Sequence, residues 1–175
     1  VEHAEICVIE NESPYIVTAL DSFSNSITEI NVPLTMIDEE SIKLKRAGSK
    51  NFSREVMTII DKDSGVANLI IGETIKPGGN WSSWPPHKHD TYIPSVESSQ
   101  KEIYLYKFKK QEGFGIQLIY DNKVTNPVIV RNNDEVKIEK GYHPVVASPH
   151  STMYYLWALF GSNKQFNVNF DEVFC

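Results

Sequence analysis

From Ile42 onward the chain is a series of short runs rich in Ile, Val, Tyr and Phe, each bounded by Gly, Pro, Asn or Asp. No window of about ten residues carries a convincing 3.6-residue period, and this excludes a helical core. The runs are 42–44, 55–60, 67–75, 102–108, 115–120, 127–131, 135–138, 145–147 and 153–160. β-branched and aromatic residues in such short stretches predict strands. Between them lie Pro77-Gly78-Gly79-Asn80, Asn132-Asn133-Asp134 and Lys140-Gly141, which carry the chemistry of tight turns. At most a short turn near 38–41 interrupts the pattern. The expectation is an all-β sandwich, jelly roll or small barrel.

A length of 175 residues suits one domain, or one domain plus part of another, and suffices for a core without staples. Residues 1–35 mix strand-like pieces (15–20 and 27–32) with polar spacers. The run ending at Arg54–Ile60 is expected to join the barrel as an extra strand. A soft boundary falls at 61–66, dividing a lead-in of residues 1–60 from a barrel of residues 61–175. A net charge of -6 and a pI near 5.4 leave no basic stripe for phosphates, so nucleic acid is not an expected partner. No apolar run approaches the roughly 20 residues of a membrane helix. The first residues show no signal-peptide pattern. Cys7 and Cys175 form no CxxC pair, so a reducing cytosol is the expected location.

The chemistry gathers in three places. His87 and His89 flank Lys88 after Pro85-Pro86; two histidines at i and i+2 on an extended segment face the same way. Glu102 opens the run Glu102-Ile-Tyr-Leu-Tyr-Lys-Phe108, whose one face carries Glu102, Tyr104, Tyr106 and Phe108. His143 follows Lys140-Gly141-Tyr142. Imidazoles and a carboxylate suit first-row divalent ions. Each residue alone has a plainer reading: His87 and His89 as solvated loop residues, His143 as a turn residue, Glu102 as a strand start in water. Their order and context favour one metal site of His87, His89, Glu102 and His143. His3 and His150 are left outside it. Alternation turns Lys88 away from the histidine pair.

The succession HxH, Glu, then Gly-Tyr-His resembles the two motifs of the cupin superfamily, whose fold is a double-stranded β-helix or jelly-roll barrel. The stretches 79–90, 102–108, 113–117, 140–147 and Tyr154-Tyr-Leu156 are similar, in order, to the 5-deoxy-glucuronate isomerases of inositol catabolism. That family is related to the 5-keto-4-deoxyuronate isomerases. The resemblance covers roughly residues 36–161. It implies a two-barrel enzyme with its metal in the second barrel, so residues 1–60 are read as the remnant of an N-terminal cupin half plus lead-in strands. Departures from the family pattern are Trp84 for Tyr, Lys101 for an acid, Trp157 for Asn, and an altered tail over 164–175.

The resemblance implies an aldose–ketose isomerase of a sugar acid that uses Zn, Mn or Fe. Its reaction would take 5-deoxy-glucuronate to 2-deoxy-5-keto-gluconate. Beside Glu102, the candidates for hydroxyl contacts or proton relay are Tyr104, Tyr106, Gln117 and Tyr142; barrel packing with satisfied polar atoms is the alternative for each. Two other functions fit the same residues: a non-catalytic sugar-binding module and an Fe(II) dioxygenase. An exposed barrel face leads to the expectation of a homodimer.

Overall fold

The computed structural model describes the backbone of residues 6–9 and 16–19, and residues 40, 42–64, 68–161 and 165–175 in full. The chain divides into two compact units, Val1–Ile42 and Lys43–Cys175. In the first, β1 (Ile6–Ile9) and β2 (Ile16–Ala19) form an antiparallel pair with Ile6 opposite Ala19. The other strand-like piece at 27–32, and all of the expected turn at 38–41 except Glu40, lie outside the described residues.

The second unit is built by alternation. In β8 (Lys101–Phe108), Glu102, Tyr104, Tyr106 and Phe108 are all buried, as the spacing of the sequence demands. Antiparallel neighbours extend this strand into a six-stranded sheet of β3 (Lys43–Ala47), β4 (Arg54–Ile60), β5 (Leu69–Lys76), β8, β11 (Glu135–Ile138) and β13 (Met153–Phe160). Its order is β11-β8-β13-β5-β4-β3. A four-stranded sheet holds β6 (Trp81–Ser82), β9 (Gly115–Tyr120), β10 (Thr125–Val130) and β12 (Val145–Ala147) in the order β10-β9-β12-β6. The two-residue strands β7 (His87–Lys88) and β14 (Asn169–Phe170) pair with each other. No α-helix occurs among the described residues.

Between β5 and β13 the chain passes repeatedly from one sheet to the other, which is the jelly-roll arrangement the sequence predicts. Strands β3 and β4 hydrogen-bond into the six-stranded sheet, so Arg54–Ile60 joins the barrel as an extra strand. Pro127 sits on edge strand β10, where its missing N–H costs no central ladder bond.

The core joins Ile70, Phe108, Val130, Val136, Val145 and Trp157 with the inward rings of β8 and β13. Trp157 lies flat over Gly72, its partner across the ladder; a Cβ there would come within 2.2 Å of the indole and 2.4 Å of the Met57 carbonyl. The glycine therefore makes room for the tryptophan.

One inward residue is unexpected. The sequence pattern ends this strand at Ile75, yet β5 continues one residue and sends Lys76 inward with Ile70 and Thr74, where it is 0% exposed. Its Nζ donates to Ser82 Oγ at 2.9 Å and to the Val145 carbonyl at 2.6 Å, while Tyr155 donates to the same serine oxygen at 2.9 Å. Burial, with nearby Arg54 adding to it, holds the amine well below the usual lysine range. Between the folded and unfolded pKa values the unfolded chain binds more protons, so Lys76 adds stability as pH rises through that window. Lys76→Met is therefore expected to gain stability relative to wild type at about pH 7 and to lose that advantage towards about pH 9.5. Urea midpoints across the series check this; a constant difference would contradict it.

Candidate metal centre

His89, Glu102 and His143 come together inside the barrel with their ligating atoms within 4.8 Å of one another. Glu102 sits mid-sheet on β8, between Ile138 of β11 and Leu159 of β13. His89 follows β7, where the Gln100 N–H donates to its carbonyl at 2.8 Å. His143 is placed by the turn before β12. Gly141 takes φ of +90° there, and a Cβ would press within 2.7 Å of the Tyr120 carbonyl.

The imidazole orientations are fixed from behind. His89 Nδ1 lies 3.1 Å from the Gln100 carbonyl, and His143 Nδ1 lies 3.0 Å from the Gly141 carbonyl. A carbonyl only accepts, so both Nδ1 atoms carry protons and both Nε2 atoms turn to the centre. They meet the same carboxylate oxygen: Glu102 Oε2 is 3.2 Å from His89 Nε2 and 3.3 Å from His143 Nε2.

Charge decides what this cluster needs. Burial drives Glu102 towards protonation, but the His143 and His89 contacts outweigh it and hold the carboxyl at about 2. An unpaired buried carboxylate costs several kcal/mol, more than the roughly 1.5–3 kcal/mol that one buried apolar side chain contributes. Positive charge must therefore sit beside it. A proton on His89 supplies part of this: burial opposes that proton, and the hydrogen bond to Glu102 raises the pKa in spite of it. His143 Nε2 is fully buried and, apart from Glu102 Oε2 at 3.3 Å, has no polar partner among the described residues. A buried nitrogen with no partner but that carboxylate, a second imidazole and an ionised carboxylate on one point fit a divalent cation.

His87 stands at the side of this group. Its ring is 4.9 Å from that of His143 and 6.3 Å from that of His89, and its Nδ1 is 3.4 Å from the Pro85 carbonyl. Burial first, and then the neighbouring His143, lower its pKa to about 3, so it is neutral and available as a fourth donor.

The remaining candidates separate. Tyr104 is near: its ring is 6.3 Å from His143 and its hydroxyl 3.1 Å from Ser83 Oγ. Tyr106 donates to Gln117 Oε1 at 2.5 Å, and Gln117 Nε2 donates to the His143 carbonyl at 2.7 Å and the Pro144 carbonyl at 3.2 Å. Both are fully buried, and they brace the His143 peptide from below. The Tyr142 ring rests 5.2 Å from Tyr120, and Tyr120 donates to Asp171 at 2.7 Å. Lys88 turns from the histidines to Asp90 and Glu97, at 2.8 and 3.0 Å, as alternation requires.

Sequence reasoning missed the C-terminal segment as part of the site. Strand β14 sets Asn169 opposite Lys88 and Phe170 opposite His87. Phe166, Phe170 and Phe174 lay their rings against His89, His87 and Trp84 at 6.0, 5.9 and 5.2 Å. Their four-residue spacing in a polar stretch matches neither strand alternation nor a core run.

A protein-family model, KduI/IolB family, matches residues 13–174. The chain belongs to the KduI/IolB family. A 5-deoxy-glucuronate isomerase of Geobacillus thermodenitrificans is 34% identical over 131 residues, covering 74% of this chain and 48% of that protein. The chain spans about half the length of the Geobacillus relatives it matches. The crystal structure of an IolB-like protein from Salmonella typhimurium superposes with a TM-score of 0.80 at 29% identity, over 82% of this chain and 56% of that one. A cupin-2 domain protein of Rhodospirillum rubrum shares the fold, with a TM-score of 0.52 at 11% identity over 76% of this chain and 78% of that one. The barrel thus has the cupin fold. No helix among the described residues is long and apolar enough to cross a membrane.

Purified protein is expected to hold about one divalent ion per chain, and His143→Ala to hold almost none. Metal analysis by mass spectrometry on folded samples checks this, with His150→Ala as the control that keeps its ion.

Proposed function

We propose that this chain is the metal-binding barrel of an aldose–ketose isomerase acting on a sugar acid, converting 5-deoxy-glucuronate to 2-deoxy-5-keto-gluconate. The buried His89–Glu102–His143 group carries this reading, in a family whose curated relatives are named for that isomerisation. Zn, Mn or Fe suits two or three imidazoles and a carboxylate. Such an ion polarises a bound carbonyl and stabilises negative charge developing on its oxygen.

The isomerisation leaves the formula unchanged: one hydrogen moves between neighbouring carbons and one between their oxygens. Burial first, and then the charge of Glu102, push the Tyr104 phenol well above its usual range. Tyr104 therefore acts as a hydrogen-bond donor to a substrate oxygen rather than as a base. Tyr106 and Gln117 act through the His143 peptide, as positioning residues. Phe166 and Phe170, 46% and 43% exposed, border His89 and His87 and limit the access of water to them. The reading includes a homodimer, which exposed Leu44 on edge strand β3 and Ile129 on edge strand β10 support. It also includes a cytoplasmic location, supported by the exposed thiol of Cys175.

Metal-loaded protein supplied with 5-deoxy-glucuronate is expected to yield the ketose, and His89→Ala to yield none. A full-length relative serves as the positive control. Substrate binding without turnover would support a binding module instead, and oxygen uptake by the iron-loaded form would support a dioxygenase.

A further inference from the structure

Glu97 is a buried carboxylate that accepts four hydrogen bonds, and neither the metal site nor the reaction uses it. It is 1% exposed, in the loop between β7 and β8. Its Oε1 accepts from Lys88 Nζ at 3.0 Å, from the Asp90 N–H at 2.8 Å and from the Thr91 N–H at 2.9 Å. Its Oε2 accepts from Asn169 Nδ2 at 2.9 Å.

These bonds end on the segments that frame the metal centre. Lys88 lies between His87 and His89, while Asp90 and Thr91 follow His89 directly. Asn169 belongs to β14, the strand that pairs with Lys88. Lys88 bonds in turn to Asp90, and Asp90 Oδ2 accepts the Gly141 N–H at 2.7 Å, two residues before His143. The chain Glu97–Lys88–Asp90 therefore ties the HxH segment to the turn that carries the third histidine.

Such a tie is needed on physical grounds. Strand β7 is two residues long, and so short a ladder cannot by itself hold imidazoles to the tolerance a metal demands. Oriented charge-assisted bonds from a buried carboxylate hold a segment more firmly than neutral ones. The enclosed charges are two carboxylates and one ammonium, and every oxygen of Glu97 has a donor, so the group is satisfied where it lies.

We infer that Glu97 is a positioning residue for the metal: through Lys88, Asp90 and Asn169 it sets the placement of His87 and His89 against Glu102 and His143, without touching the ion. This role rests on the metal site of the preceding subsection. A carboxylate that merely stapled the loop would affect unfolding and leave the metal affinity of the folded protein alone.

The test uses Glu97→Gln, which keeps the shape of the side chain but replaces an acceptor with a donor or a weaker acceptor. Cobalt affinity is measured by competition with a chromophoric chelator, together with the visible spectrum of bound cobalt and the thermal midpoint of the metal-free protein. Glu97→Gln is expected to bind cobalt about 10–100-fold more weakly, with an altered spectrum, while remaining folded. Wild-type affinity and an unchanged spectrum would overturn the role. If Glu97→Gln fails to fold, Glu97→Asp, which keeps the charge one methylene short, is read by the same criteria. Failure of the wild-type protein itself to bind cobalt would instead overturn the metal site, and the role with it.

Discussion

A carboxylate enclosed in a β-barrel is the constraint from which the rest of this structure follows. Glu102 is ionised, buried and approached on one oxygen by two imidazole nitrogens. That arrangement persists only if positive charge stands between the three groups and if neither ring can turn away. The Gln100 and Gly141 carbonyls lock the rings through Nδ1. Tyr106 and Gln117 then hold the His143 peptide, and Gly141 allows the turn that delivers it. Residues with no contact to the centre are thus explained by what the centre requires.

The sequence made the centre legible because strand alternation is a strict rule. The spacing of Glu102, Tyr104, Tyr106 and Phe108 places all four on the buried face, and His-x-His places two imidazoles on one side of an extended segment. Alternation also sends Lys88 away from them, and the structure agrees. What it could not supply is the hydrogen-bond inventory. Tyr106 and Gln117 look like site residues by their face, yet their polar atoms are spent on each other and on backbone carbonyls. Tyr142 is adjacent to a ligand in sequence but rests on Tyr120. His87 falls beside the cluster of three, because the edge of a two-residue strand is placed by what packs on it, and that partner, Phe170 in β14, is 83 residues downstream (170 − 87).

Three further features escaped the sequence for related reasons. Lys76 reads as a charged strand end and becomes an interior residue when β5 runs one position longer. Glu97 sits in a loop with no pattern to mark it, and only its four donors in space reveal it. The phenylalanines at 166, 170 and 174 follow no strand or core period, because they pack singly along the rim of the site. Trp84 packs its ring against Trp81 and Phe174. Trp157 is accommodated by the bare backbone of Gly72. Both tryptophans are packed into the fold.

His89, Glu102 and His143 are placed to hold one divalent ion jointly inside the barrel. Anomalous scattering from a crystal of the metal-loaded protein, measured across the absorption edge of the added ion, tests it most directly. A single strong peak is expected at about 2.0–2.2 Å from His89 Nε2, His143 Nε2 and a Glu102 oxygen. A peak elsewhere, or none in a protein crystallised at saturating metal, would contradict it.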